Sequence, residues 1–148
     1  MNYLLGIDVG TSGTKALLID VSKGGEVVGS TTKTYSLYTP KPQWAEQEPE
    51  DWWQATVAAI AELLDVSGVD PKDVKGMGLS GQMHGAVFLD ENNQVLRPAI
   101  LWCDQRTQAE CDWITETVGP EKVVEYTCNP VLTGFTAVSY THLRAHET

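Results

Sequence analysis

The sequence has few basic residues. Its 148 residues include 10 lysines and arginines against 20 aspartates and glutamates, which gives a formal net charge of −10 at pH 7. Proteins that bind nucleic acid or an anionic membrane surface need clustered positive charge. The composition therefore predicts neither a nucleic-acid nor a membrane partner. It does not exclude a nucleotide, because a phosphate site needs only local donors and a metal ion.

Cysteines and long apolar runs are also scarce. Cys103, Cys111 and Cys128 are odd in number and include no C-x-x-C pair, so neither a disulfide framework nor a zinc site is indicated. We expect reduced thiols. No apolar run approaches the roughly 20 residues of a membrane span, and no charged leader or apolar signal core follows Met1. A cytoplasmic location is the expectation.

What the sequence does contain is an order of strand and helix patterns typical of a mixed α/β layer. Short apolar runs bounded by turn residues predict strands. These runs cover residues 3–9, 15–20, 26–35, 74–80, 86–89 and 98–102. The first three follow one another closely along the chain, so we expect them to form a meander.

Two helices are predicted among these strands. The first begins at Pro49, whose fixed φ suits the first helical position, and runs to about Asp65. The second covers residues 105–118 and ends at Gly119. In the first helix, apolar residues recur at three- and four-residue spacing, which predicts that they face the sheet. They are Trp53, Val57, Ile60 and Leu64.

A glycine-rich segment joins the first two strands. It reads Asp8-Val9-Gly10-Thr11-Ser12-Gly13-Thr14-Lys15. Gly10 and Gly13 lack a Cβ and tolerate positive φ, so backbone N–H groups could converge here on a nucleotide phosphate. Neighbouring side chains that add donors are Thr11, Ser12, Thr14 and Lys15. Asp8 is placed to hold magnesium through water. An unliganded hairpin turn has the same composition, so spacing alone leaves both interpretations open.

Two further segments carry candidate ligand-binding residues. Gly81-Gln82-Met83-His84-Gly85 sets a polar and a flexible side chain between glycines, so that a ligand could approach the backbone. The alternative is a buried histidine bonded to a carbonyl in a bend between strands. In Trp102-Cys103-Asp104-Gln105-Arg106, Asp104 could cap the following helix and Arg106 could face solvent.

Together these blocks resemble the FGGY family of carbohydrate kinases, and within it the xylulokinases. The resemblance covers Met1 to about Ala137. It rests on several blocks in order: Gly6 to Lys15, Trp44-Ala45-Glu46-Gln47 with Pro49 and Trp52-Trp53, Gly81 to Gly85, Arg97 to Trp102 with Asp104 and Arg106, and Gly134-Phe135-Thr136-Ala137. The opening turn alone is similar to the wider actin-like ATPases, which include chaperones and filament proteins. The block from Gly81 to Gly85 favours a sugar kinase.

The resemblance implies an incomplete ribonuclease H-like (actin-like ATPase) mixed sheet with flanking helices, formed by a partial N-terminal kinase domain over residues 1–137. It implies ATP and magnesium as cofactors and a ketose as substrate, with D-xylulose phosphorylated to D-xylulose 5-phosphate. Asp8 would organise magnesium and the phosphates. The expected nucleotide-binding residues are Gly10, Thr11, Ser12, Gly13 and Lys15, and the expected sugar-binding residues are Met83, His84 and Asp104.

Several alternatives stay open. A kinase for gluconate, ribulose or glycerol fits the same blocks, as does an actin-like module that binds nucleotide without a sugar. In the family the general base is another aspartate, which we expect to lie outside this sequence, so the 148-residue chain alone should show little turnover. A homodimer of the longer enzyme is also open.

The last residues depart from the resemblance. Residues 138–148 do not continue the family pattern, and we expect them to be a non-native tail that carries no functional argument. His142 and His146 are four residues apart, which would suit one helix face, but two ligands alone do not make a metal site.

Overall fold

The structure is a computed structural model that describes residues 2–146, with side chains described as far as residue 144. Its strands and helices follow in the order β1 (Tyr3–Val9), β2 (Gly13–Asp20), β3 (Glu26–Thr34), β4 (Glu46–Gln47), α1 (Pro49–Ser67), β5 (Val74–Gly81), β6 (Ala99–Ile100), α2 (Gln108–Val118), α3 (Pro120–Thr127) and α4 (Thr136–His146). The chain divides into two compact units, Met1–Ser36 with Pro49–Gln82, and Leu37–Glu48 with Met83–Thr148.

The first unit is a four-stranded mixed sheet with the order β3-β2-β1-β5. The first three strands pair antiparallel, which confirms the predicted meander, and β5 joins β1 in parallel. Tyr3, Leu5 and Ile7 alternate along β1 and are buried on one face. They share a core with α1, because a strand with alternating apolar residues must bury that face against another layer.

Helix α1 covers this sheet with a face that only partly matches the predicted one. Ala55, Ala59 and Leu63 are its buried residues. Of the predicted residues, Ile60 packs against the core and Leu64 is half-buried, whereas Trp53 is 62% and Val57 44% exposed. Ala59 is fully buried against the sheet, because small side chains let a helix approach strands closely. The spacing predicted the helix correctly, but it missed the small residues that make up most of the buried face.

The second unit has little regular sheet. Its two-stranded ladder pairs β4 with β6. The strand predicted at 86–89 is reduced to two isolated bridges, Ala86 with Ile100 and Leu89 with Val95, and the strand at 98–102 keeps two residues. The predicted strands were therefore too long here. Between them the chain turns at Asp90, whose carboxylate accepts from the Asn92 and Gln94 N–H groups.

Helices make up the rest of this unit. The predicted second helix is confirmed as α2, although it begins at Gln108, three residues late, and Gly119 closes it by donating to the Thr115 carbonyl. Two helices were not predicted. Pro120 follows directly after the end of α2 and begins α3, where a first-turn proline needs no N–H partner. Helix α4 includes part of the expected tail, and its Val138 and Ser139 are buried.

None of the helices within residues 2–146 combines the length and the apolar character that crossing a membrane requires.

Candidate functional site

Three polar residues form a row across the first unit. In the sheet register Asp8 of β1 lies beside Lys15 of β2 and beside Ser80 of β5. Its neighbour Ile7 is buried toward α1, so Asp8 points to the opposite face, because successive strand residues alternate. The Ser80 hydroxyl donates to Asp8 Oδ1 at 2.6 Å. An exposed carboxylate is therefore held in one orientation beside a cation.

Two glycines make room next to this row. Gly6 pairs with Gly78, two residues along the strands from the pair of Asp8 and Ser80 and therefore on the same face. A Cβ built at Gly78 would meet nothing within 4 Å. A depression of about 400 Å³ lies there, lined by Gly6, Ile7, Asp8, Lys15, Leu17, Gly78, Leu79 and Ser80. The missing side chains let a ligand approach the backbone beside the Asp8 carboxylate.

The turn from Gly10 to Gly13 is tightly closed. The Gly10 N–H donates to the Gly13 carbonyl at 3.1 Å, and the Tyr35 hydroxyl donates to the Gly10 carbonyl. A Cβ on Gly13 would lie 2.6 Å from the Lys33 carbonyl oxygen of β3, a contact that real Cβ atoms do not make. Glycine is therefore required at position 13 by strand packing as well as by any ligand.

Thr14 does not face the turn. It is fully buried, and its hydroxyl lies 3.3 Å from that of Thr56 on α1. The Thr56 hydroxyl in turn donates to the Trp52 carbonyl at 2.7 Å. The hydroxyl that the sequence offered as a phosphate donor therefore anchors the turn to the helix.

Tyr35 lies close to the Gly10 turn and to Thr14. Burial raises the pKa of its phenol, a hydrogen bond with Thr14 acts the other way, and the charge of Asp8 raises the pKa again. The phenol therefore stays protonated and able to donate through the neutral pH range.

In the second unit Met83 and His84 are both exposed, Met83 by 72%. The alternative of a buried histidine is therefore wrong. The backbone of His84 has φ +61, a left-handed conformation that residues other than glycine seldom adopt outside constrained sites. Its ring stacks on Phe135 at a centroid distance of 4.4 Å, and its carbonyl accepts from the Thr136 hydroxyl at 3.1 Å. Contacts from residues 135 and 136 thus fix an exposed imidazole.

Asp104 is in a contrasting environment, since it is only 1% exposed. Its Oδ2 accepts from the Ala45 N–H at 2.7 Å, and its Oδ1 accepts from the Arg106 N–H at 2.9 Å. It precedes the helix without capping it, because Thr107 is the residue before α2. His84 contacts Phe135 and Thr136, whereas Asp104 contacts Ala45 and Arg106. A sugar contact of Asp104 stays a prediction.

Arg106 was expected to be able to face solvent, and that alternative is wrong. Its side chain is 2% exposed and binds the Asp104 carboxylate through Nε and Nη2. Its guanidinium lies over the Trp44 ring, 3.6 Å from the centroid, and Nη1 is 2.8 Å from Glu46 Oε1. Arg97 also pairs with this Glu46 oxygen at 2.6 Å. A buried guanidinium needs such partners, because leaving its charge unpaired would be costly.

The donor set at Asp8 fits magnesium, whereas no full metal cage is present. Magnesium in phosphoryl-transfer sites is held by one or two carboxylates, waters and the substrate phosphates, so a single exposed carboxylate is a sufficient protein contribution. Within the described residues no three His, Cys, Asp or Glu side chains converge as they would around a metal. Of the two histidines considered for a metal, His142 has its Nδ1 2.9 Å from Glu110 Oε1. The side chain of His146 lies outside the described residues.

Comparison with known proteins identifies the family of the chain. The model of the N-terminal domain of the FGGY family of carbohydrate kinases matches residues 3–148. The chain belongs to this family. It is 46% identical over 147 residues to xylulose kinase of Bacillus subtilis, covering 99% of this chain and 29% of that protein. The matched length includes residues 138–148, and their origin as a non-native tail stays a prediction.

Solved structures confirm the fold. The crystal structure of a xyloylose kinase from Brucella ovis is 39% identical, with a TM-score of 0.89, and the match covers 99% of this chain and 30% of that one. Xylulose kinase from Rhodospirillum rubrum is 29% identical with a TM-score of 0.90, at the same coverage. The expected incomplete actin-like mixed sheet is thus confirmed, and the chain spans under a third of the length of these relatives.

Ser80 and Tyr35 were not among the predicted site residues. Ser80 reaches Asp8 only because β5 pairs in parallel with β1, a pairing between residues 72 positions apart. The sequence predicted Tyr35 only as the last residue of a strand. The one feature that links it to the turn is its position directly after Thr34, the residue of β3 that pairs with Gly13.

Proposed function

We propose that this chain is the nucleotide-phosphate-binding part of a longer ATP-dependent ketose kinase. The reaction is transfer of the γ-phosphoryl group of ATP to a sugar hydroxyl, with D-xylulose as substrate and D-xylulose 5-phosphate as product. The observation that carries the proposal is the exposed Asp8 carboxylate, fixed by Ser80 and flanked by Lys15, in a chain 46% identical to a xylulose kinase.

The residues of the first unit would act on the nucleotide. Phosphoryl transfer is catalysed mainly by positioning and by neutralising charge. Asp8 would hold magnesium, and the metal when bound would supply charge neutralisation at the phosphates. The turn of Gly10, Thr11, Ser12 and Gly13 would present backbone and hydroxyl donors, and the exposed Lys15 would add a positive charge. The exposure of Asp8 and Lys15 and their pairing in the sheet support these roles.

The residues of the second unit would act on the sugar. His84 is exposed, and its ring is stacked on Phe135, so its imidazole can donate to or accept from a hydroxyl without first being ordered. Met83 offers an exposed, adaptable thioether beside it in sequence. Asp104 would contribute indirectly, by holding Arg106 and the Ala45 backbone.

Kinetics of the full-length protein test this proposal. We expect xylulose-dependent formation of ADP, and we expect Met83→Ala and His84→Ala each to raise the Michaelis constant for the ketose. Met77→Ala is the matched control, because Met77 is also exposed, at 61%, but lies on β5. An unchanged ketose constant in both variants would show that the sugar site is elsewhere.

The substrate is tested in the same assay. Ribulose, gluconate and glycerol should each give lower kcat/KM than xylulose, and a reversed order would assign another sugar to the same fold. ATP binding without turnover on any sugar would favour an actin-like nucleotide module. The 148-residue chain alone should show little or no turnover, because the proposed general base is outside it. The cytoplasmic location and a homodimer remain predictions.

A further inference from the structure

Both backbone polar groups of Gly10 are hydrogen-bonded. Its N–H donates to the Gly13 carbonyl at 3.1 Å, and its carbonyl accepts from the Tyr35 hydroxyl. The phenol reaches across the turn because β3 ends at Thr34, which pairs with Gly13, so that Tyr35 follows directly beside the turn. A side chain 25 residues away in sequence therefore fixes the backbone of the turn.

The fixed carbonyl also determines where the next N–H points. In a planar trans peptide the carbonyl of one residue and the N–H of the next point in opposite directions. Holding the Gly10 carbonyl toward the phenol therefore turns the Thr11 N–H away from it. Without this bond, the freedom of Gly10 would allow the peptide to rotate. A carbonyl oxygen, which repels phosphate oxygens, could then replace an N–H that attracts them.

The phenol is itself held in place. Thr14, whose hydroxyl lowers the pKa of the phenol, lies beside it, and that hydroxyl is 3.3 Å from the Thr56 hydroxyl on α1. The Thr56 hydroxyl donates to the Trp52 carbonyl at 2.7 Å. The phenol that bonds Gly10 is thus half-buried beside a residue that contacts the helix, and such neighbouring contacts are what hold a binding group in a productive geometry.

We propose that Tyr35 is a positioning residue that sets the orientation of the Gly10–Thr11 peptide, and through it the donor geometry that the turn presents to the phosphates of ATP. This inference rests on the proposed function, because it assigns Tyr35 to the nucleotide side of that site. Tyr35 does not take part in the chemical step, so its effect falls on nucleotide affinity.

The test is Tyr35→Phe in the full-length protein, which removes the hydroxyl and keeps the ring. Two readouts are used: steady-state kinetics with ATP and ketose, and the dissociation constant of ATP measured by calorimetry. Loss of one positioning hydrogen bond should raise the ATP constants about three- to tenfold. The ketose constant and kcat should stay within about twofold. Tyr126→Phe is the control, since it removes the same group from a tyrosine that is 71% exposed on α3.

Each outcome decides the proposal. Selective weakening of ATP binding in Tyr35→Phe alone, with an unchanged unfolding midpoint, supports it. Unchanged ATP constants overturn it, and so does an equal loss of ATP and ketose affinity with a lowered unfolding midpoint, which would show a general structural role. If the wild-type protein binds ATP but phosphorylates no sugar, the proposed function fails while calorimetry still tests Tyr35. If the wild-type protein binds no ATP, both fail.

Discussion

Two aspartates suggested by the sequence lie in opposite environments. Asp8 is exposed at the end of β1, with one oxygen held by the Ser80 hydroxyl. Asp104 is 1% exposed, and both of its oxygens accept hydrogen bonds from the protein itself. A carboxylate whose bonding capacity is used inside the protein stabilises the fold, whereas one fixed in orientation but left exposed can bind a ligand. This contrast favours a binding role for Asp8 in the first unit and a stabilising role for Asp104 in the second, and both roles remain predictions.

The largest expected effect tests the stabilising role of Asp104. Asp104→Ala leaves the buried Arg106 with fewer partners and the Ala45 N–H without its acceptor. Breaking a buried ion pair on one side costs about 3–5 kcal/mol of unfolding free energy. Urea unfolding followed by tryptophan fluorescence would measure it, because Trp44 lies on Arg106.

The control for this variant is Asp112→Ala. Asp112 is an exposed aspartate on α2 that accepts a hydrogen bond from the Gln108 side chain, so its loss should change the free energy of unfolding by at most about 0.5 kcal/mol. Similar effects of the two variants would remove the distinction between a buried structural carboxylate and an exposed one.

A smaller effect is expected at Gly13, where strand packing and ligand binding coincide. Gly13→Ala forces a Cβ to within 2.6 Å of the Lys33 carbonyl oxygen, so the pairing of β2 with β3 must shift. Overpacking of this kind costs about 1–3 kcal/mol. We expect a lower unfolding midpoint together with weaker ATP binding. Gly78→Ala is the control for the unfolding midpoint only, because the same Cβ there meets nothing within 4 Å, and an equally lowered midpoint in both variants would refute the packing argument.

The smallest effect is expected at Ser80. Ser80→Ala removes the hydroxyl that donates to Asp8 Oδ1 but leaves the carboxylate in place. The magnesium concentration that gives half-maximal rate should rise about three- to tenfold, which is the effect of one lost hydrogen bond. Ser80→Thr keeps the hydroxyl and should restore the wild-type value. No change in Ser80→Ala would mean that this bond does not orient Asp8 for the metal.

The local features of the first unit could be predicted from the sequence. The meander, the turn and helix α1 each follow from short-range patterns, and all three are confirmed. The predicted buried face of α1 was partly wrong, since Ile60 packs against the core but Trp53 and Val57 are exposed, because spacing alone cannot show which apolar stripe meets the sheet. The bond between Ser80 and Asp8 could not be predicted, since it depends on parallel pairing across 72 residues.

The second unit was harder to predict, because its structure depends even more on contacts between residues that are far apart in sequence. Its few strands are two residues long, so hydrophobic alternation has little length over which to act. The burial of Arg106 depends on Trp44 and Glu46, which lie about 60 residues earlier in the chain. The motif residues Met83 and His84 were found through resemblance, while the left-handed backbone of His84 is visible only in the structure.

Asp8→Asn in the full-length protein gives the most direct test of the binding role of Asp8. Replacing the carboxylate with a neutral amide keeps the shape but removes the charge that would hold magnesium. We expect ketose-dependent ADP formation to fall at least about a hundredfold, as for loss of one charge-stabilising group, with the unfolding midpoint unchanged. Asp65→Asn, at an exposed position on α1, should leave both values unchanged. Activity of Asp8→Asn within about threefold of wild type would contradict the assignment.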